Sequence, residues 1–132
     1  MKRALLLLSL LAACRGDETI SGYADPATVW RLTELDGAPF DARATLTFPA
    51  QGKVAGQAPC NTFTATQGVP LPWIEIRDIA STRMACPDLA QETRFLDALR
   101  AMTLAEVAGD VLILGTDEGH EMVFRAEPRA PR

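Results

Sequence analysis

The chain has 132 residues, 48% of them apolar, with 13 basic and 17 acidic side chains and a net charge of −4. That length suits a single domain. The acidic balance, with arginines scattered and not clustered, argues against a nucleic-acid surface and offers no electrostatic attraction to anionic lipid.

The first segment, "MKRALLLLSLLAAC", is set apart from the rest. Lys2 and Arg3 give a positive start, and the apolar run from Ala4 to Leu11 is shorter than the roughly 20 residues a spanning helix needs. Residues 1–13 therefore read as an export signal. "LAAC" (Leu11–Cys14) resembles the lipobox of bacterial lipoproteins, with Leu11 at −3 from the cut and Cys14 as the acylated first residue of the mature chain. Acyl chains such as palmitate on Cys14 would hold the protein on a membrane, since each buried methylene contributes about 0.8 kcal/mol and multiple chains anchor stably. Arg15 follows the cysteine. By analogy with enteric lipoproteins, the lack of an aspartate there points to the periplasmic face of the outer membrane. Cleavage removes Lys2 and Arg3, taking the basic residues from 13 to 11 against 17 acidic ones, a net charge of −6.

Residues 14–27 are polar and lack periodicity, and read as the lipidated end and a tether. The folded domain is expected over residues 28–126. "TVWRLTEL" is a strand candidate closed by the Asp36–Gly37 turn signal. "ATLTF" places Ala44, Leu46 and Phe48 on one face. "KVAGQ" and "CNTFTAT" follow as strands, the second carrying Phe63. "WIEIRDI" points Ile74 and Ile76 one way, and Pro70 and Pro72 mark an irregular start or an edge. The period then changes to that of a helix in "CPDLAQETRFLDALRAM". Pro87 suits its first turn, and Asp88 with Gln91 resembles a capping box. "LAEV", "VLIL" and "EMVF" close the domain as short strands, and residues 127–132 read as a fraying tail. The fold class is mostly β: an antiparallel curved sheet or partial barrel of about seven or eight short strands with one helix packed on it.

Two cysteines remain in the domain, Cys60 and Cys86. In an oxidising compartment such a pair is expected to form a disulfide. It would close a loop of about 26 residues, a constraint of roughly 3–4 kcal/mol in the chain-entropy account. Free structural thiols and a catalytic thiol are the alternatives. No metal site is expected, because His120 is the sole histidine and no CxxC or HxxxH spacing occurs. A nucleophile elbow or triad spacing around Ser81 and His120 is also missing, so no catalytic residues are assigned and no cofactor is expected.

On the helix, Leu89, Phe95, Leu96, Leu99 and Met102 share one broad face, with Glu92 near its middle. A carboxylate there needs a partner, because an isolated buried charge costs several kcal/mol. Arg83, just before the helix, is the expected partner in a clamp, and backbone amides near Thr82 are a second possibility.

Three stretches resemble the signatures of the META (HslJ-like) domain family: "VWRLTELDG", "LTFPAQGKVAGQAPCNTFTA" and "STRMACPDLAQETRFLDAL". "GDVLIL" and "MVF" fit its closing strands. Trp30, Gly37, Gly56, Cys60, Asn61, Phe63, Thr82, Arg83, Met84, Cys86, Glu92 and Leu99 stand at signature positions. Pro59, Thr62 and Ala65 depart from it, which bears on the turn around Asn61. The resemblance implies a mostly antiparallel curved sheet or partial barrel with a helix. It also implies a non-catalytic envelope protein tied to stress or antibiotic tolerance. The expected partners are the membrane, through the lipid anchor, and an envelope protein bound by a monomer. Asn61 and Arg83 are the candidate binding residues. The alternative function is a binder of an apolar ligand or lipid chain in a barrel mouth lined by Trp30, Phe48, Phe63 and Trp73.

Overall fold

The structure, a computed structural model, describes residues 16–129. The expected export signal of residues 1–13, the expected acylation site Cys14 and the last three residues of the expected tail lie outside the described residues.

The strands are β1 (Trp30–Leu35), β2 (Ala38–Pro39), β3 (Thr45–Thr47), β4 (Lys53–Gln57), β5 (Thr62–Thr66), β6 (Arg77–Ser81), β7 (Leu104–Ala108), β8 (Val111–Gly115) and β9 (Glu121–Ala126). Helix α1 (Leu89–Ala101) lies between β6 and β7. The sheet runs β6-β5-β4-β3-β1-β9-β8-β7, with β2 folded onto β1, and every pairing is antiparallel. Curled around the helix, this sheet is a half-barrel, the mostly β class expected from the alternating strands.

Strand alternation sets the inside. Ala44, Leu46 and Phe48 are all fully buried, as are Leu112, Leu114, Met122 and Phe124 on the closing strands. Asp36 and Gly37 take positive φ (51° and 79°), forming the tight turn that pairs Leu35 with Ala38. At Gly56 two strands and a ring crowd together. A Cβ there would stand 2.0 Å from the Thr45 carbonyl oxygen and 2.8 Å from the Phe63 ring, so no larger residue fits.

The segment before β6 behaves as its prolines suggest. Pro72 has no N–H to offer, but its carbonyl accepts from Ala105 N–H (2.8 Å), and Ile74 N–H donates to the Thr103 carbonyl (3.0 Å). Trp73 thereby sits opposite Leu104 in a lone bridge. The chain runs along the β7 edge before turning into β6, so one segment serves both open edges of the half-barrel.

Helix α1 buries Phe95, Leu96 and Leu99, and Met102, directly after it, is buried as well. Phe95 meets Phe63 edge-on at 5.8 Å between ring centroids and Phe40 at 6.5 Å. Leu89, expected on the inner face, is exposed at the helix's first position. The expected capping box does not form. Asp88 takes φ −93° and ψ 17° and makes no side-chain cap, while Gln91 accepts from Arg94 instead (2.9 Å).

The largest departure lies at the N-terminal side. The polar stretch expected to be a tether is folded from Asp17 onward. Asp17 accepts from Thr19 N–H (2.9 Å), from the Thr19 hydroxyl (2.6 Å) and, in a short bond, from the Ser21 hydroxyl. These bonds set up a single 3-10 turn, Ile20–Gly22, that drives Ile20 fully into the core. Gly22 is required there, since a Cβ would stand 1.9 Å from the Asp17 carbonyl oxygen. The turn is tied to the rest of the molecule by Leu71 N–H donating to the Glu18 carbonyl (2.9 Å). The polar pattern hid this because its oxygens are spent on local backbone and hydroxyl bonds, leaving one apolar anchor.

Residues 127–129, expected within the fraying tail, are likewise tied to the domain. Glu127 N–H donates to the Val29 carbonyl (2.8 Å), the Glu127 carboxylate pairs with Arg43, and Arg129 pairs with Asp25. The folded unit thus includes residues 17–129, beyond the expected 28–126 at both ends.

The Ser21 and Thr19 bonds hold the Asp17 carboxyl below the usual carboxylate range. A depressed folded value contributes stability above the unfolded pKa, about 3.9, and that stability is lost as pH falls through the folded value. Asp17→Ala should therefore lower Tm at pH 7, and the gap from the parent protein should narrow in melts taken at successively lower pH below 4.

Candidate functional site

Glu92 is the one buried carboxylate among the described residues, 5% exposed. One oxygen, Oε1, accepts from two successive backbone amides, Cys60 N–H (3.0 Å) and Asn61 N–H (2.8 Å). The other, Oε2, accepts from Asn61 Nδ2 (2.7 Å). Three donors therefore meet the charge, the satisfaction a buried carboxylate needs.

Asn61 is spent in full. Its Nδ2 also donates to the Met84 carbonyl (3.0 Å). Its Oδ1 accepts from Met84 N–H (2.6 Å) and the Thr82 hydroxyl (2.8 Å). Two amide protons and two lone pairs are all in use. The Cys60–Cys86 disulfide spans the same junction, with Cα atoms 5.6 Å apart. Three pieces of chain thus converge: the β4–β5 turn, the loop after β6 and the first turns of α1. Thr62 carbonyl accepts from Thr82 N–H beside them (3.1 Å).

Two sequence-based assignments change here. Arg83 does not clamp Glu92. Its side chain is exposed, and the inner space it would need is filled by Asn61 and the amides of Cys60 and Asn61. Asn61 is not available to a partner, being 4% exposed with no hydrogen-bonding capacity left. The amides that serve Glu92 lie at residues 60–61 instead of near Thr82. Sequence spacing could not show this, because the bond spans 31 residues. The available hint was an asparagine directly after a bridging cysteine.

The expected pocket residues separate. Trp30, Phe48 and Phe63 are core side chains, 3% exposed or less, whereas Trp73 is 58% exposed on the outside. An aromatic wall of all four does not exist, because Trp73 belongs to the bridging segment that faces out from the β7 edge. The interior is occupied by side chains from both the sheet and α1.

Other polar groups do not assemble into catalytic geometry. His120 Nδ1 lies 3.3 Å from Asp36 on an exposed turn. Asp36 is held below the usual carboxylate range, chiefly by Glu121 N–H and then by His120. Ser81 lies on the edge strand β6, away from that turn in strand order. Among the described residues, no three His, Cys, Asp or Glu side chains stand together as metal ligands, and no helix is long and apolar enough to cross a membrane. An open groove of about 430 Å³ lies on the outer face of β7 and β8, floored by Leu104, Ile113 and Gly115 and edged by Pro72 and His120.

A half-barrel closed by one helix, with the helix's buried glutamate seated on the turn that carries a bridging cysteine, defines a class of disulfide-stapled β domains. The META domain family model matches residues 24–129, and the chain belongs to that family. Among solved structures, the NMR structure of a protein from Burkholderia xenovorans is similar, at 24% identity over 77% of this chain and 83% of that one, with a TM-score of 0.61. The crystal structure of a DUF4847 family protein from Bacteroides vulgatus covers 80% of this chain and 96% of its own, at 14% identity and a TM-score of 0.64. At these identities both show the shared fold. No curated protein matches the sequence.

Removing one partner of a buried charge costs about 3–5 kcal/mol. Asn61→Ala should approach that loss in chemical denaturation, while Arg83→Ala should stay within about 0.5 kcal/mol of the parent. In a double-mutant cycle, Asn61→Ala and Glu92→Gln should couple strongly, and Arg83→Ala and Glu92→Gln should not. Reducing the disulfide, which closes a 26-residue separation, should cost roughly 3–4 kcal/mol.

Proposed function

We propose that this META domain is the body of a non-catalytic envelope lipoprotein, anchored through Cys14, that binds or stabilises a protein partner at the membrane as a monomer. The observation that carries this reading is the fate of the signature polar residues. Asn61 and Glu92 are buried, and they and the Thr82 hydroxyl are bonded to one another or to backbone. Their chemistry is spent on holding the helix to the sheet, and none is directed at a substrate.

What the junction leaves outside is a small surface. Arg83 is exposed, and Met84 and Leu89, on either side of Cys86, are exposed at 67% and 44%. An exposed arginine next to an exposed methionine on a stapled loop, with exposed Leu89 opening the helix that follows, resembles the composition of protein-binding patches, in which arginine and methionine are enriched. The outer groove of β7 and β8 supports a second reading, an apolar ligand, because Leu104, Ile113 and Pro72 give it a mainly apolar lining. The sequence supports an envelope location through its lipobox, and the family resemblance supports a role in stress or antibiotic tolerance.

The test is affinity recovery of the membrane-anchored protein after in-cell crosslinking, with proteins and extracted lipids from one sample read by mass spectrometry. A specific protein partner is expected, and its recovery should fall at least several-fold in an Arg83→Ala, Met84→Ala, Leu89→Ala triple variant of unchanged Tm. Recovery of a bound lipid without a protein partner would overturn the accessory reading in favour of the ligand reading.

A further inference from the structure

The fold starts almost at the proposed anchor. Asp17 is already fixed by its bonds to Thr19 and Ser21, and it follows Cys14 by only Arg15 and Gly16. At about 3.3–3.6 Å per residue, that link reaches roughly 10 Å when fully extended. Residues expected to give slack are instead wound into the Ile20–Gly22 turn, with Ile20 buried. A domain acylated at Cys14 therefore has no room to stand off from the bilayer.

The surface next to this starting point has its own character. Tyr23 and Trp73 are the exposed aromatic side chains among the described residues, at 61% and 58%. They lie on the two segments that the Leu71 N–H to Glu18 carbonyl bond joins. Tyr23 follows the turn directly, its N–H bonded to the Ile20 carbonyl (3.0 Å). Trp73 is two residues past Leu71, held out by its bridge to Leu104. Tyrosine and tryptophan favour the headgroup level of a bilayer, where a ring is half in apolar surroundings and its polar atom stays wet.

We infer that the corner formed by Asp17–Tyr23 and Leu71–Trp73 is a lipid-contacting surface. The short link brings it to the bilayer, and Tyr23 and Trp73 insert at the headgroup level. The chemistry of the contact is interfacial and aromatic, because Asp17, Glu18 and Asp25 beside it offer no attraction to anionic headgroups.

This inference rests on acylation of Cys14, so the experiment reads the two separately. The full-length lipoprotein is purified from cells fed an alkynyl palmitate, which reports lipid on Cys14, and reconstituted into zwitterionic phosphatidylcholine vesicles with or without bromine in the acyl chains. Trp73 emission is isolated by subtracting the Trp73→Phe variant, in which only the core Trp30 remains. Brominated vesicles should quench Trp73 emission by about half or more. Inserting 12 Gly/Ser residues between Arg15 and Gly16 should reduce that quenching at least twofold. Labelled protein whose Trp73 is not quenched would overturn the lipid contact and leave the anchor reading intact. Quenching unchanged by the insertion would overturn the short link as its cause. Absence of label on Cys14 would overturn both readings.

Discussion

A carboxylate on the inner face of a helix has to be met by donors, and in this protein the donors come from a single turn 31 residues away in sequence. Glu92 receives two adjacent backbone amides and the Asn61 amide. That requirement fixes where α1 enters the half-barrel. It also fixes the loop after β6, because the remaining atoms of Asn61 are bonded to Thr82 and Met84. The disulfide constrains the distance between the same two segments but cannot set their orientation. The polar network does that, since each of its members is satisfied in one arrangement only. Phe95, on the same face of the helix one turn later, then drops against Phe63 and Phe40 and completes the core.

Much of the frame was legible in the residues. Period-two alternation located Leu46, Phe48, Ile74 and Ile76, and each is buried. The Asp-Gly turn, the single helix and the cysteine pair were legible as well, because local propensity and spacing carry them. The misread parts are those in which a polar group is satisfied at long range or by a short local bond. Glu92 signals a buried charge, yet nothing in a linear sequence ranks Asn61 above Arg83 as its partner. Asp17 and Thr19 look like linker composition, although the same residue types build turns that carry an apolar side chain inward. Trp73 shows the complementary error. An aromatic in an alternating stretch suggests core, but Pro72 holds that stretch against the β7 edge, where Trp73 faces out.

Membership of the META family and the half-barrel explain why the domain needs little else for stability. Its interior is filled from sheet and helix, and Asn61 and Glu92 of its signature are buried and bonded there. On the proposed function, recognition falls to what decorates the outside: the Arg83 loop, the β7–β8 groove and the aromatic corner beside Asp17. These three surfaces are built on rigid supports, respectively a stapled loop, a hairpin and a hydrogen-bonded turn. Binding there would incur little ordering cost.

The pairing of β1 with β9 has a consequence for how the molecule comes into being. The first long strand lies between β3 and the last strand of the domain, with Trp30 opposite Ala126 and Leu35 opposite Met122. Contacts of such sequence separation must wait for loop closure and are slow to form. A chain emerging in order from its synthesis cannot complete the middle of its sheet until nearly every residue has appeared. Under the export proposed for this protein, the delay would keep the polypeptide open enough to be threaded through a translocation channel. Topology alone would thus supply the interval between synthesis and folding that passage across a membrane requires.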